Sequence, residues 1–189
     1  MIRAALAMRR RLHRDVRGTA AVEFALIAPV LILFYFGVAE YCQALMAERK
    51  ASHVAASVGD LVAQTDALTT AQMTDIFNIS GMLLAPFPSS QISMCVSQIS
   101  LTNSTTANVD WVQPYQGATC TAKNTNVFNT LPKSTITPTQ PFINVGESVI
   151  YSQAFYTYVS PVKYLLKSNI NFTEAFYMRP RKSTTISMN

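Results

Sequence analysis

The sequence predicts an α+β protein in which a long N-terminal helix crosses a membrane and continues as the spine of a small domain with an antiparallel sheet. Three observations carry this. From Phe24 to Ala39 there is no charged residue. With Thr19–Val22 the run reaches about 20 mostly apolar residues, enough for a helix to cross a ~30 Å hydrocarbon core. Past the run a helical period persists, with Val54, Val58, Leu61 and Val62 at i, i+4, i+7 and i+8. Beyond Pro88 the period falls to two, in segments rich in β-branched and aromatic residues.

The charge is confined to one end. Residues 1–18 carry six arginines (Arg3, Arg9, Arg10, Arg11, Arg14, Arg17) against Asp15 alone, which accounts for the whole net charge of +5. Residues 19–189 are neutral overall, so a nucleic-acid partner loses its electrostatic support. Arginines beside a span set topology instead. They place residues 1–18 in the cytoplasm and everything after about Glu40 outside. The chain then divides into a basic leader (1–18), a span-and-spine helix (19–64) and an external α+β domain (65–189).

No proline interrupts Val30 to Gln64, so one helix is expected over 19–64, with Pro29 as its one candidate kink. A second helix is expected over Thr70–Leu84, opened by a Thr69/Gln72 capping box, with Met73, Ile76, Phe77, Leu83 and Leu84 as its buried stripe. Ala85-Pro-Phe-Pro ends it. Ile92, Met94 and Val96 then alternate, while Ile99 and Leu101 continue one step out of phase, which reads as a bulge. A polar loop is expected over Thr102–Asn108, a strand over Val109–Tyr115, and a long loop over 129–144. Ser148–Val159 and Ile170–Met178 are the strongest strands, joined through a turn or short helix at Pro161–Lys167. Arg179–Lys182 reads as a short solvated tail. Helices first and strands after them give an antiparallel sheet packed on the helical spine.

Two groups of residues carry candidate function. Glu23 is a carboxylate inside the apolar run, where an ionisable group costs free energy and marks a functional position. Cys95 and Cys120 lie in the external segment, where an oxidising compartment favours disulfides, and they are expected to pair. Cys42 falls at the outer end of the span and is expected to remain unpaired. The aromatic group Tyr151, Phe155, Tyr156, Tyr158, Phe172, Phe176 and Tyr177 reads as core and half-exposed sheet rather than a binding surface.

Arg17-Gly18-Thr-Ala-Ala-Val-Glu23-Phe24-Ala-Leu-Ile-Ala-Pro29-Val-Leu resembles the N-terminal segment of the TadE-like family, minor pseudopilins of tight-adherence (Flp/Tad) pili. Tyr177–Ile186 resembles endings in that family more weakly. The resemblance implies a type IV pilin-like fold and cutting between Gly18 and Thr19 by a prepilin peptidase. It implies as partners that peptidase, other pilus subunits, an inner-membrane assembly platform and membrane lipid, in adhesion or biofilm formation. Phe24 stands where major pilins of this class carry tyrosine, and the globular part is larger than theirs; both point to a minor subunit. A glycine before the cut lets a protease hold extended backbone without a side chain. The new α-amino group could pair with a neighbour's Glu23, a contact that selects register more than it adds stability.

The runner-up is an uncleaved, single-span anchor carrying a periplasmic binding or scaffold module. A secretory signal peptide fits less well, because the apolar run is long and its small-residue site poor. Ala39-Glu-Tyr-Cys42 is a weak lipoprotein box. An enzyme is not expected, nor a metal or cofactor. His13 and His53 are the only histidines, and no Gly-rich phosphate loop or triad-like motif is visible.

Overall fold

A computed structural model describes residues 18–103, 106–120, 144–163 and 166–189. The basic leader up to Arg17 lies outside the described residues, as does the loop expected over 129–144 except for Asn144. Helix α1 runs Thr19–Ala63, about 68 Å at ~1.5 Å per residue. Strand β1 (Ala67–Leu68) and helix α2 (Thr70–Leu84) follow, then a 3-10 turn at Ser89–Gln91. Four longer strands complete the domain: β2 (Ile92–Asn103), β3 (Thr106–Tyr115), β4 (Ser148–Tyr158) and β5 (Ile170–Met178). They form one antiparallel sheet in the order β3-β2-β4-β5.

The second half of α1 lies on this sheet. Ala44, Ala47, Ala51, Val54, Ala55, Val58 and Val62 are buried at helical spacing. Their small size brings the helix close to β4. A Cβ built on Gly59 would stand 3.0 Å from Cβ of Ser152, so glycine fits this crossing without displacing its neighbour. Facing them are Ile92, Met94 and Val96 of β2 and Ile150, Ala154, Tyr156 and Tyr158 of β4. Helix α2 covers the end of this core with Met73, Phe77 and Leu84, and Phe77 stacks on Tyr115 at 4.9 Å.

The start of α2 follows from its cap. The Thr69 hydroxyl accepts from the Gln72 amide at 3.3 Å, and the Gln72 side chain accepts from the Thr69 amide at 2.9 Å. Two otherwise orphaned amides are thereby satisfied. Thr69→Ala should cost about 1 kcal/mol and accelerate hydrogen exchange in the first turn of α2. Exchange at wild-type rates there would show that the cap contributes nothing.

Three expectations need correction. The phase change at Ile99 is not a bulge in β2, which pairs with β4 without interruption from Ile92 to Ser100. Ile99 and Leu101 face the other side of the sheet, where they join Val149 in a second buried cluster beside Val109, Tyr151 and Tyr177. The register shift belongs to β3: Gln98 pairs with Trp111 and Ile99 with Val109, which leaves Asp110 as the extra residue. Its carboxylate accepts from Gln98 Nε2 and Ser100 Oγ, each at 2.7 Å. The polar segment 102–108 is mostly strand, because β2 extends to Asn103 and β3 begins at Thr106; ladder hydrogen bonds outweigh its polar composition.

The expected solvated tail is exposed at Arg179, Arg181 and Lys182, yet the C-terminal segment is tied to the domain. The Arg181 amide donates to the Ala63 carbonyl at 2.8 Å, and its guanidinium pairs with Asp60. Ile186 is buried in the main core, and β6 (Ser187–Met188) pairs in parallel with β1. Trp111 Nε1 donates to the Ile186 carbonyl at 2.9 Å, and the Ile186 amide to Gln98 Oε1 at 2.7 Å.

Candidate functional site

The first half of α1 is not packed into the core of the domain. No residue from Thr19 to Ala39 is buried, although almost all are apolar. Leu26 is 74% exposed and Phe34 71%. An apolar helix exposed on every side is not the core helix of a water-soluble fold. This is the one helix among the described residues long and apolar enough to cross a membrane, and that character points to a single-pass anchor.

The candidate processing and register residues gather at its N-terminal end. Gly18 precedes the first helical residue, and no side chain caps the helix there. A side chain at Gly18 would meet nothing within 4 Å, so the fold itself does not require glycine. One turn on, Glu23 and Phe24 are exposed beside Val22, Leu26 and Ile27. The other predicted pair sits in the domain. Cys95 on β2 and Cys120, just past β3, form a disulfide across a sequence separation of 25, while Cys42 is free and exposed on α1.

A further site lies where the apolar half of α1 meets the domain. Glu40 is only 2% exposed, although it directly follows the span. Its Oε1 accepts from Ser160 Oγ at 2.7 Å and its Oε2 from the Leu166 amide at 3.1 Å. Ser160 Oγ in turn accepts from the Lys163 amide at 3.2 Å. One carboxylate thus holds Ser160 and Leu166 of the β4–β5 connection against α1. Beside it, the Tyr158 hydroxyl donates to Gln43 Oε1 at 3.4 Å. Burial pushes the Tyr158 phenol up, the Ser160 hydrogen bond opposes this, and the nearby Glu40 charge adds to the rise. From the sequence Glu40 reads only as the charge that ends the apolar run. The signal that could have singled it out is the polar Ser160 between Val159 and Pro161, whose partner lies 120 residues away.

Among the described residues no group of three or more His, Cys, Asp or Glu side chains stands together to hold a metal. A cleft of about 500 Å³ lies beside Gln43, Met46, Phe87, Tyr158 and Pro161, and its lining carries no charged side chain.

Comparison with known families gives one finding. Residues 18–59 match the family described as TadE-like protein. The match begins at Gly18, spans the apolar half of α1, and ends at Gly59 against the sheet. No curated protein and no solved structure matches the chain.

Proposed function

With a TadE-like segment forming the exposed apolar helix and the start of the spine, we propose that the chain is a minor pseudopilin of a tight-adherence pilus. It is held by a single span in a bacterial inner membrane, its leader cytoplasmic and its α+β domain periplasmic. A prepilin peptidase cuts after Gly18, and the matured subunit joins other pilus subunits or the assembly platform. The role is structural, without catalysis. The observation that carries this reading is the unburied apolar helix from Thr19 to Ala39, with Gly18 at its N-terminal end and Glu23 exposed one turn in.

Processing is the direct test. Gly18→Leu should block cleavage in the native host, because the peptidase must accommodate a bulky side chain where glycine leaves space. Intact mass of the membrane-extracted protein reads it out. Wild type should begin at Thr19 and the variant should retain the leader. A wild-type protein still beginning at Met1 supports the uncleaved anchor instead.

Glu23→Ala tests association. Removing a carboxylate from an apolar run should leave insertion intact. Loss of its pairing with a neighbour's new α-amino group should lower pilus assembly and co-purification with other pilus subunits. An alanine variant that assembles as well as wild type removes the register role from Glu23.

A further inference from the structure

The β4–β5 connection points back along the apolar helix instead of away from it. Val162 lines a groove of about 490 Å³ with Pro29, Ile32, Leu33 and Phe36. These helix residues precede Glu40 by four to eleven positions. At ~1.5 Å per residue they lie about 6–16 Å closer to the N-terminal end of α1 than the carboxylate that holds the connection. If Thr19–Ala39 spans the bilayer, that depth falls inside the hydrocarbon of the leaflet nearest the domain.

The local chemistry agrees with this depth. Val159 and Val162 are exposed apolar side chains, 37% and 49% accessible. Lys163 and Lys167 are exposed on the same connection. Lys163 adopts a positive φ of 53°, which a non-glycine residue accepts at a tight reversal. Apolar tips flanked by lysines whose stems can follow the hydrocarbon while their amines reach phosphate are the pattern of an interfacial membrane contact.

We propose that Val159–Lys163 and Leu166–Lys167 form a second membrane contact. Val162 enters the acyl region beside the span, a phospholipid chain fills the groove against Ile32, Leu33 and Phe36, and Lys163 and Lys167 face headgroup phosphates. Glu40 sets the depth of the contact by holding Ser160 and the Leu166 amide. The domain is thereby fixed to the bilayer at two points, and its tilt about α1 is restricted. This inference rests on the span reading above, and the test separates the two.

The full chain, with Cys42→Ser to remove the free thiol, is reconstituted in vesicles of phosphatidylethanolamine and phosphatidylglycerol. An environment-sensitive fluorophore is attached at Val162→Cys, at Leu26→Cys in the span, or at Met82→Cys on the exposed side of α2. Lipids carrying brominated acyl chains act as quenchers. Labels at 26 and 162 should be quenched strongly and emit at blue-shifted wavelengths, while the label at 82 should be unaffected. Adding Glu40→Ala should return the label at 162 to the emission of the one at 82, with the label at 26 unchanged. With Glu40 intact, a label at 162 that behaves like the one at 82 overturns the membrane contact while the span stands. Quenching absent at both 26 and 162 overturns the span itself. A signal at 162 that changes with protein-to-lipid ratio, without acyl quenching, identifies a second copy as the occupant and overturns the lipid assignment. Quenching at 162 that persists in Glu40→Ala removes Glu40 as the depth-setting residue.

Discussion

A chain ending at Lys182 should lose about 5 kcal/mol of stability relative to the full protein, a large share of the ~5–15 kcal/mol typical of a domain. The deletion removes residues 183–189, and Ile186 is the first reason for the loss. Its side chain is 1% exposed within the main core, and vacating such a site costs about 2–5 kcal/mol. Partners left behind supply the rest. Gln98, 2% exposed, loses the Ile186 amide that its Oε1 accepts, and Trp111 Nε1 loses the Ile186 carbonyl. Ser148 Oγ loses the Thr184 carbonyl, and Leu68 loses the Asn189 amide. Each buried group left unpaired costs roughly 1–3 kcal/mol unless water reaches it. Urea unfolding of the full-length and shortened chains in detergent, followed by circular dichroism, measures the loss. Trp111, the single tryptophan, reports locally by a red-shifted emission in the shortened form. Ile186→Ala keeps the backbone contacts and should show about 3 kcal/mol of the effect. Equal midpoints for the full and shortened chains would refute a structural tail.

The legible parts of the fold were those whose causes are local. The span is a run of side chains that water rejects, the α2 cap is a four-residue hydrogen-bond pattern, and the spine is a repeat of small apolar residues. The tail escaped because its single buried side chain, Ile186, lies among serines and threonines. Its strand is two residues long, too short for alternation to show. Ile99 and Leu101 fall out of phase with a single apolar face, whereas β2 is central and carries apolar residues on both faces. Of the candidate site, Gly18 and Glu23 stood out because they depart from an otherwise uniform run. Glu40 did not, since a carboxylate at the end of a span is ordinary until Ser160 and Leu166 are brought to it. Partners more than 100 residues away leave no trace in local spacing.

Replacing Cys95 and Cys120 together by serine should destabilise the domain by more than about 3.5 kcal/mol. For a closed segment of 25 residues, the chain-entropy model gives roughly that figure, because the bridge removes open conformations from the unfolded chain. Position adds to the argument. Cys95 lies on the central strand opposite Pro114 of β3 and Gln153 of β4, and it is 1% exposed. Cys120 follows the reversal at Gln116 and Gly117, where both residues have positive φ and the chain turns back towards the sheet. The bridge therefore fixes the segment leaving β3 to the middle of the sheet. Serine in place of Cys95 also buries a hydroxyl in that position, an added cost where no acceptor is near. Cys120→Ser with Cys95→Ala avoids this and isolates the contribution of the closed loop. Urea unfolding of both double variants against wild type should give losses of about 3.5 kcal/mol for the alanine form and more for the serine form. The same ladder of β2 and β3 should persist in each, as read by protected amides at Val96 and Gln98. Wild-type protein from its native host whose two thiols alkylate freely after denaturation without reductant would remove the bridge, and with it the support it lends to an external domain.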